Sequence, residues 1–562
     1  MRRVLLVLVL AAGVVALLVW WRGRVPPTLY RGGPVLTMDA GNRVVSALAV
    51  EDGRVAAVGS AAELEGWAEE RGARIVELAG RALLPGFIDA HGHYPGNGIY
   101  AVHVDLNSPP IGDTRTVDDV VAKLAERAAA TASGEWIVGW GYDDTLLAER
   151  RHPTRRDLDR ASTDHPLALW HVSGHLAVAN GPALERLGIG PDTPDPEGGV
   201  IRRQADGRTP DGVLEEHAMD PLLPRIQPGL LDGLRMVREA TRLYLAAGVT
   251  TAQSGASDRS ILSSLAALSR WGLVPLRLVL WPLEDAADGL LDGSLDEPVQ
   301  GPFLSRGAVK LIADGSIQGY TGYLSEPYHV PPGDDPGFRG YPRIERDDLI
   351  ERVTRYHRQG FQLAVHGNGD ASIDDILDAF EAALAAHPRP DARPIVIHAQ
   401  MARDDQLERM ARLGVIPSFF SLHTYYWGDR HRDLFMGPER AARMSPARSA
   451  LDRGVRFTIH CDTPVVPMEP LRLVWAAVNR RSTSGAAIGP GQRIGVMAAL
   501  RAVTADAAYQ HFQEDRLGSL EPGKLADLVI LSRSPLEDPA TLDRIEVLET
   551  VIGGRSVYRR DG

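Results

Sequence analysis

Between residues 44 and 59 the chain reads VVSALAV, then Glu51-Asp52-Gly53, then RVAAVG, two β-rich runs joined by an Asp-Gly turn that predict a hairpin. Near the other end LADLVIL (525–531) and ETVIGGRSVY (549–558) repeat the pattern, with Gly553-Gly554 as the turn. Neither segment is large enough to bury a core alone, so the two ends are expected to pack together as one small β domain. Between them, apolar strand-like runs alternate with helical periods, at 82–93, 248–255, 275–281, 308–316, 361–370, 394–400, 415–421 and 455–462. After the fifth run, Ile373, Ile376, Leu377, Phe380 and Leu384 are spaced as the buried stripe of an amphipathic helix. Eight βα repeats predict an α/β fold, a TIM-like (β/α)8 barrel inserted between the two β segments. The first and second runs are separated by about 150 residues, too many for a βα loop. Residues from about 95 to 245 are therefore expected to form an insertion over the barrel mouth. The expected division is 1–24, 25–81 (first β part), 82–504 (barrel with insertion) and 505–562 (second β part).

The N-terminus has a different pattern. Residues 4–21, VLLVLVLAAGVVALLVWW, are eighteen apolar residues flanked by Arg2-Arg3 and by Arg22 and Arg24. As a helix they span about 27 Å, close to the hydrocarbon thickness of a bilayer. The expectation is an uncleaved N-terminal transmembrane helix, with the lipid bilayer as partner and the body on the extracytoplasmic side. The alternative is a cleaved signal, leaving a secreted or periplasmic protein.

Composition narrows the classes. With 44 % hydrophobic and 24 % charged residues the chain is a folded globular protein. A formal net charge of −12 argues against a nucleic-acid partner. Cys461 is the only cysteine, which excludes an internal disulfide and a cysteine-built zinc site. Self-association is left open.

Candidate chemistry sits on five of the eight strand-like runs: His91 and His93, Lys310, His366, His398 and Asp462, at or near their C-terminal ends. In a barrel such positions converge on one mouth. In an extended His91-Gly92-His93 both imidazoles point to the same side, so one ion can take both. Trp136, Trp140, Tyr142, Trp170, His171 and His175 in the insertion are candidate substrate-pocket walls, as is His423 just beyond the seventh run. Packing within the insertion is the competing reading for any one of the insertion residues. Cys461 should alternate away from Asp462 and is read as inert.

These residues lie in LLPGFIDAHGH, GVTTAQSG, AVKLIADGS, QLAVHGNGD, VIHAQ, CDTPV and GSLEPGKLADLVIL, with GWGYDD, HPTRRDLD and SGHLAVAN in the insertion. In combination they resemble the metal-dependent amidohydrolase superfamily. The likeness is to the branch called amidohydrolase family 3, which includes an N-substituted formamide deformylase, and it runs from about residue 28 to the end. The resemblance implies a composite β-sandwich beside a distorted barrel, with metal ligands at His91, His93, Lys310, His366, His398 and Asp462. It also implies a carboxylated lysine at Lys310 bridging two ions; the alternative is a Lys310 cation paired with Asp314 or another acid. Ile397 stands where relatives commonly carry an acidic residue, and Cys461 where they carry a small or hydroxyl one, so substrate does not transfer from any relative.

The chemistry expected is hydrolysis of a non-peptide carbon–nitrogen bond in a small molecule, an amide, formamide or cyclic amide. Zinc or a similar divalent ion, one or two per chain, activates water, and Asp462 acts as general base and then acid. An esterase or lactonase with the same metal site and a membrane-tethered non-catalytic binding protein are the alternatives.

Overall fold

The computed structural model describes residues 25–561 except 226 and 299. The expectation of a membrane-anchored chain is corrected here. Among the described residues no helix is long and apolar enough to cross a membrane. Residues 4–21, on which the anchor and its bilayer contact rested, lie outside the described residues.

Both chain ends join one sheet, which runs Arg555–Arg559, Val547–Ile552, Leu528–Leu531, Ala82–Pro85, Thr28–Leu36, Val44–Glu51 and Arg54–Gly59, with Arg74–Glu77 beside Thr28–Leu36. Both turns use left-handed backbone, at Asp52 and Gly53 and at Gly553 and Gly554, as tight hairpins with the twist of their strands require. The ends are sewn together by the antiparallel pairing of Leu528–Leu531 with Ala82–Pro85.

Eight mutually parallel strands follow: β1 (Phe87–Ile88), β2 (Val249–Ser257), β3 (Arg277–Pro282), β4 (Val309–Ile312), β5 (Leu363–Gly367), β6 (Ile395–His398), β7 (Ile416–Phe419) and β8 (Thr458–Ile459). Strands β1 to β3 pair in order, with Leu304–Arg306 beyond β3, and β4 to β8 pair in order in a second sheet. A parallel bridge between Leu283 and Lys310 links β3 to β4. Past the ends of β8 and β1, Asp462 N–H donates to His91 C=O (3.2 Å) and His93 N–H to Thr463 C=O (2.7 Å). The first apolar run is not one strand. It is divided at Gly86, where a Cβ would lie 2.3 Å from Thr250 Cγ2, so only glycine lets the chain pass from the composite sheet into β1. Helix Asp370–Ala386 buries Ile373, Ile376, Leu377 and Phe380.

The insertion is built on a sheet of its own, ordered Gly199–Arg203, Pro210–Glu216, Leu176–Ala179, Leu167–His171, Ile137–Tyr142 and Val104–Asp105. Apolar residues on its two faces form separate cores, one around Leu106, Leu124 and Leu169, the other around Trp170, Leu184 and Leu214.

One buried ion pair ties the parallel strands to the composite sheet. Arg277 on β3 grips Asp527 with two hydrogen bonds of 2.6 and 2.8 Å, and Gly553 N–H donates to the same carboxylate at 2.8 Å. Both side chains are 4 % exposed. Asp527→Ala strands a buried guanidinium and is expected to cost about 3–5 kcal/mol. Chemical denaturation checks this, and a loss under about 0.5 kcal/mol would contradict it.

Candidate metal centre

The histidines and acids singled out in the sequence meet beyond the ends of the parallel strands. His91 Nε2 and His93 Nε2 both lie 3.3 Å from Asp462 Oδ1, and His398 Nε2 lies 3.9 Å from Asp462 Oδ2. Lys310 Nζ is 3.2 Å from His91 Nε2, although Lys310 stands inside β4 and not at its end. The His366 ring centroid is 4.5 Å from that of His398. His398 (φ 69°) and Asp462 (φ 54°) adopt left-handed backbone, a strain of order 1–3 kcal/mol each for residues with a Cβ. Gly255 on β2 lets the backbone pass behind His91, since a Cβ there would sit 2.3 Å from His91 Cε1.

The contacts of Asp462 Oδ1 are not ordinary hydrogen bonding. Asp462 Oδ1 is buried with no aligned partner. His91, His398 and Asp462 each bring a ligand atom to within 4.8 Å of the others. Asp462 Oδ1 facing the Nε2 atoms of His91 and His93 at 3.3 Å without a hydrogen bond formed fits a divalent cation.

Electrostatics agree. Burial, reinforced by the Lys310 cation and neighbouring imidazoles, holds His91, His366 and His398 well below the ordinary imidazole pKa, so they are neutral as ligation requires. Burial also opposes ionisation of Asp462, but the imidazoles of His93 and His460 and the Lys310 amine outweigh it and hold that carboxyl far below its usual range. Lys310 is pulled down to about 7 by burial, against the pull of Asp462. Asp314 does not pair with it; it accepts backbone N–H from Tyr323, Asn368 and Gly369 at 2.9–3.0 Å. The Cys461 thiol is buried and pushed up, so it stays protonated.

The pocket-wall candidates divide. His175 is close to the centre, its ring 4.9 Å from that of His366 and its Nδ1 3.0 Å from Glu216. His423 is buried 6.1 Å from His398, against Phe420 at 4.3 Å and Trp427 at 5.8 Å. Trp140 stacks on Trp170 at 6.2 Å and packs with Trp136 in the insertion core. Tyr142 bonds His152 at 3.1 Å, and His171 bonds Ser173 and Asp144 at 2.8 and 3.1 Å. Asp143, Asp144 and His171 form a second group with ligand spacing, but Arg430 and Trp427 already neutralise and bond Asp143.

Sequence reasoning missed His460, buried between His91 and His398 with ring centroids 5.2 and 5.0 Å away. The signal was present, because the period-two argument that paired His91 with His93 applies equally to His460 and Asp462.

The pattern of the amidohydrolase family matches residues 74–558. The chain is 30 % identical to the N-substituted formamide deformylase of Arthrobacter pascens, over 94 % of this chain and 97 % of that protein. It is 29 % identical to the putative amidohydrolase YtcJ of Bacillus subtilis, over 95 % and 99 %. The crystal structure of an uncharacterized metal-dependent hydrolase from Pyrococcus horikoshii superposes with a TM-score of 0.72 at 26 % identity, covering 92 % of this chain and 99 % of that one. The match over most of the length, together with a buried, cation-ready set of imidazoles and a carboxylate, has one conclusion: this chain belongs to the amidohydrolase family and is a metal-dependent hydrolase of carbon–nitrogen bonds.

Proposed function

We propose that the chain hydrolyses neutral N-substituted amides, formamides or cyclic amides at one or two divalent ions, zinc first among them. His91, His93, Lys310, His366, His398 and Asp462 would hold the ions. The observation that carries this is Asp462 Oδ1, buried with no hydrogen-bond partner 3.3 Å from both His91 Nε2 and His93 Nε2, beside imidazoles of His91 and His398 that burial keeps neutral. The eight parallel strands are read as a TIM-like (β/α)8 barrel that begins at Gly86, not at residue 82, and runs to about 504, with 25–85 and 505–562 forming a composite β-sandwich.

Bound there, a divalent ion supplies Lewis acidity, polarising the substrate carbonyl and making water a competent nucleophile near neutral pH. Asp462, kept ionised by the imidazoles of His93 and His460, accepts the proton of the attacking water and returns it to the leaving nitrogen. Lys310 is read as carboxylated. With its pKa near 7 much of the amine is neutral at physiological pH. Its lone pair adds to carbon dioxide with loss of one proton, giving a carbamate whose two oxygens suit two ions.

Elemental analysis of the purified protein should find one to two divalent ions per chain. On the metal-loaded protein, kcat/KM for N-substituted formamides and amides should exceed that for matched esters, phosphoesters and charged peptides. Ester turnover equal to or above that of amides would convert the reading to an esterase or lactonase. A metal-replete chain that turns over no member of the panel would be a binding protein.

A further inference from the structure

His398 reaches the centre through Nε2, and its other ring nitrogen meets a chain of buried polar groups. His398 Nδ1 lies 3.1 Å from His460 Nε2, and His460 Nδ1 lies 2.9 Å from Ser418 Oγ. Ser418 Oγ is 2.8 Å from Thr458 Oγ1, which is 2.7 Å from Gln510 Oε1, and Gln510 Nε2 donates to Ala90 C=O at 2.7 Å. All five side chains are buried, none more than 3 % exposed.

Proton bookkeeping gives this chain one direction. A carbonyl only accepts, so Ala90 C=O fixes the Gln510 amide with Nε2 toward it and Oε1 toward Thr458; the reversed amide would press two acceptors together. Thr458 has a single hydroxyl proton, which Gln510 Oε1 must receive, so Thr458 Oγ1 accepts from Ser418. The Ser418 proton is then spent, and Ser418 Oγ accepts from His460 Nδ1–H. A neutral His460 therefore offers a lone pair at Nε2 and accepts from His398 Nδ1–H. A neutral His398 with its proton on Nδ1 keeps its Nε2 lone pair free, and that is the nitrogen 3.9 Å from Asp462 Oδ2.

We propose that His460 is a positioning residue: through Ser418, Thr458 and Gln510 it locks His398 in the Nδ1–H tautomer and so presents the Nε2 lone pair to the metal. The inference rests on His398 being a ligand, as proposed above. The relay begins at Ala90, the residue before His91, so it also keys β6 to the loop that carries the His91-Gly92-His93 pair. Partners of this kind, which orient the ring of a ligating histidine, commonly change metal affinity by 10–100-fold when removed.

The test measures zinc affinity of the metal-free full chain by competition with a chromophoric chelator. His460→Leu should bind zinc about 10–100-fold more weakly than wild type. His460→Gln, whose amide oxygen can accept from His398 Nδ1–H, should stay within about threefold, a rescue that a packing role alone does not predict. Ser418→Ala, which removes the acceptor that fixes His460, should weaken binding by roughly threefold to tenfold, and decides the matter if His460→Leu does not fold. Nitrogen NMR of histidine-labelled metal-free protein, with His398 assigned from His398→Gln, should show the proton on Nδ1 in wild type and lost from sole occupancy of Nδ1 in Ser418→Ala. Wild-type affinity in folded His460→Leu, or in Ser418→Ala, overturns the relay while leaving the metal centre standing, as does a wild-type His398 protonated on Nε2. A wild-type chain that takes up no divalent ion overturns the metal reading and the relay together.

Discussion

Asp462→Asn is expected to lower kcat/KM for the best amide substrate by roughly 10²–10⁴-fold, the range typical of losing a general acid or base. The amide is nearly the same size and keeps one oxygen where Oδ1 lies 3.3 Å from both His91 Nε2 and His93 Nε2, so the pocket should persist. What it loses is basicity. The wild-type carboxyl is held ionised against its own burial, so it can take a proton from water and release it to the leaving nitrogen. The measurement is made at saturating zinc with metal content verified, because removing a negative charge among the ligands also weakens the ion's hold. A metal-replete variant within about threefold of wild type would exclude Asp462 as the proton carrier.

The parts of this molecule legible in the sequence were those set by local rules. Asp52-Gly53 and Gly553-Gly554 need left-handed backbone, and that requirement located both hairpins. The eight parallel strands are buried apolar runs, and His91, His366, His398 and Asp462 were placed correctly at or beyond strand ends because side-chain direction follows strand register. What escaped were features set by long-range packing. The break at Gly86 depends on Thr250, more than 160 residues away. The six-stranded sheet of the insertion is made of short strands whose pairing no local pattern fixes. That Trp140 would stack on Trp170 depends on the pairing of two strands that no local pattern fixes. Ser418, Thr458 and Gln510 read as unremarkable polar positions, and only their approach across β7, β8 and helix Ala505–Gln510 joins them to His460.

The burial that prepares the centre should also make the metal-free chain acid-labile. Away from the six ligand positions, burial holds His431 and His460 down to about 3, His152 and His511 down to about 4, and His423 well below its ordinary value. An unfolded histidine titrates near 6.5. Because these folded values are depressed, the stability each contributes is complete above that pH and is lost as pH falls through it. Two buried carboxyls work in the opposite sense. Burial pushes Asp89 up to about 7 and Asp314 up to about 8, so the folded chain holds their protons down to about pH 4 and gains stability on acidification. Between pH 6 and 5 unfolding of the metal-free chain thus takes up protons on these five histidines, on His103, also held down to about 4, and on the neutral His91, His366 and His398, and releases fewer from Asp89, Asp314 and the half-buried Asp375, pushed up to about 6. Each proton of net uptake corresponds to about 1.4 kcal/mol lost per pH unit, so stability falls as the pH falls. Thermal melts of the metal-free protein should therefore vary little from pH 8 to 6.5 and fall steeply below pH 6. His511→Gln should make that fall shallower by about one proton. A melting temperature that holds or rises from pH 6.5 to 5 would show that these imidazoles are not buried in the neutral form.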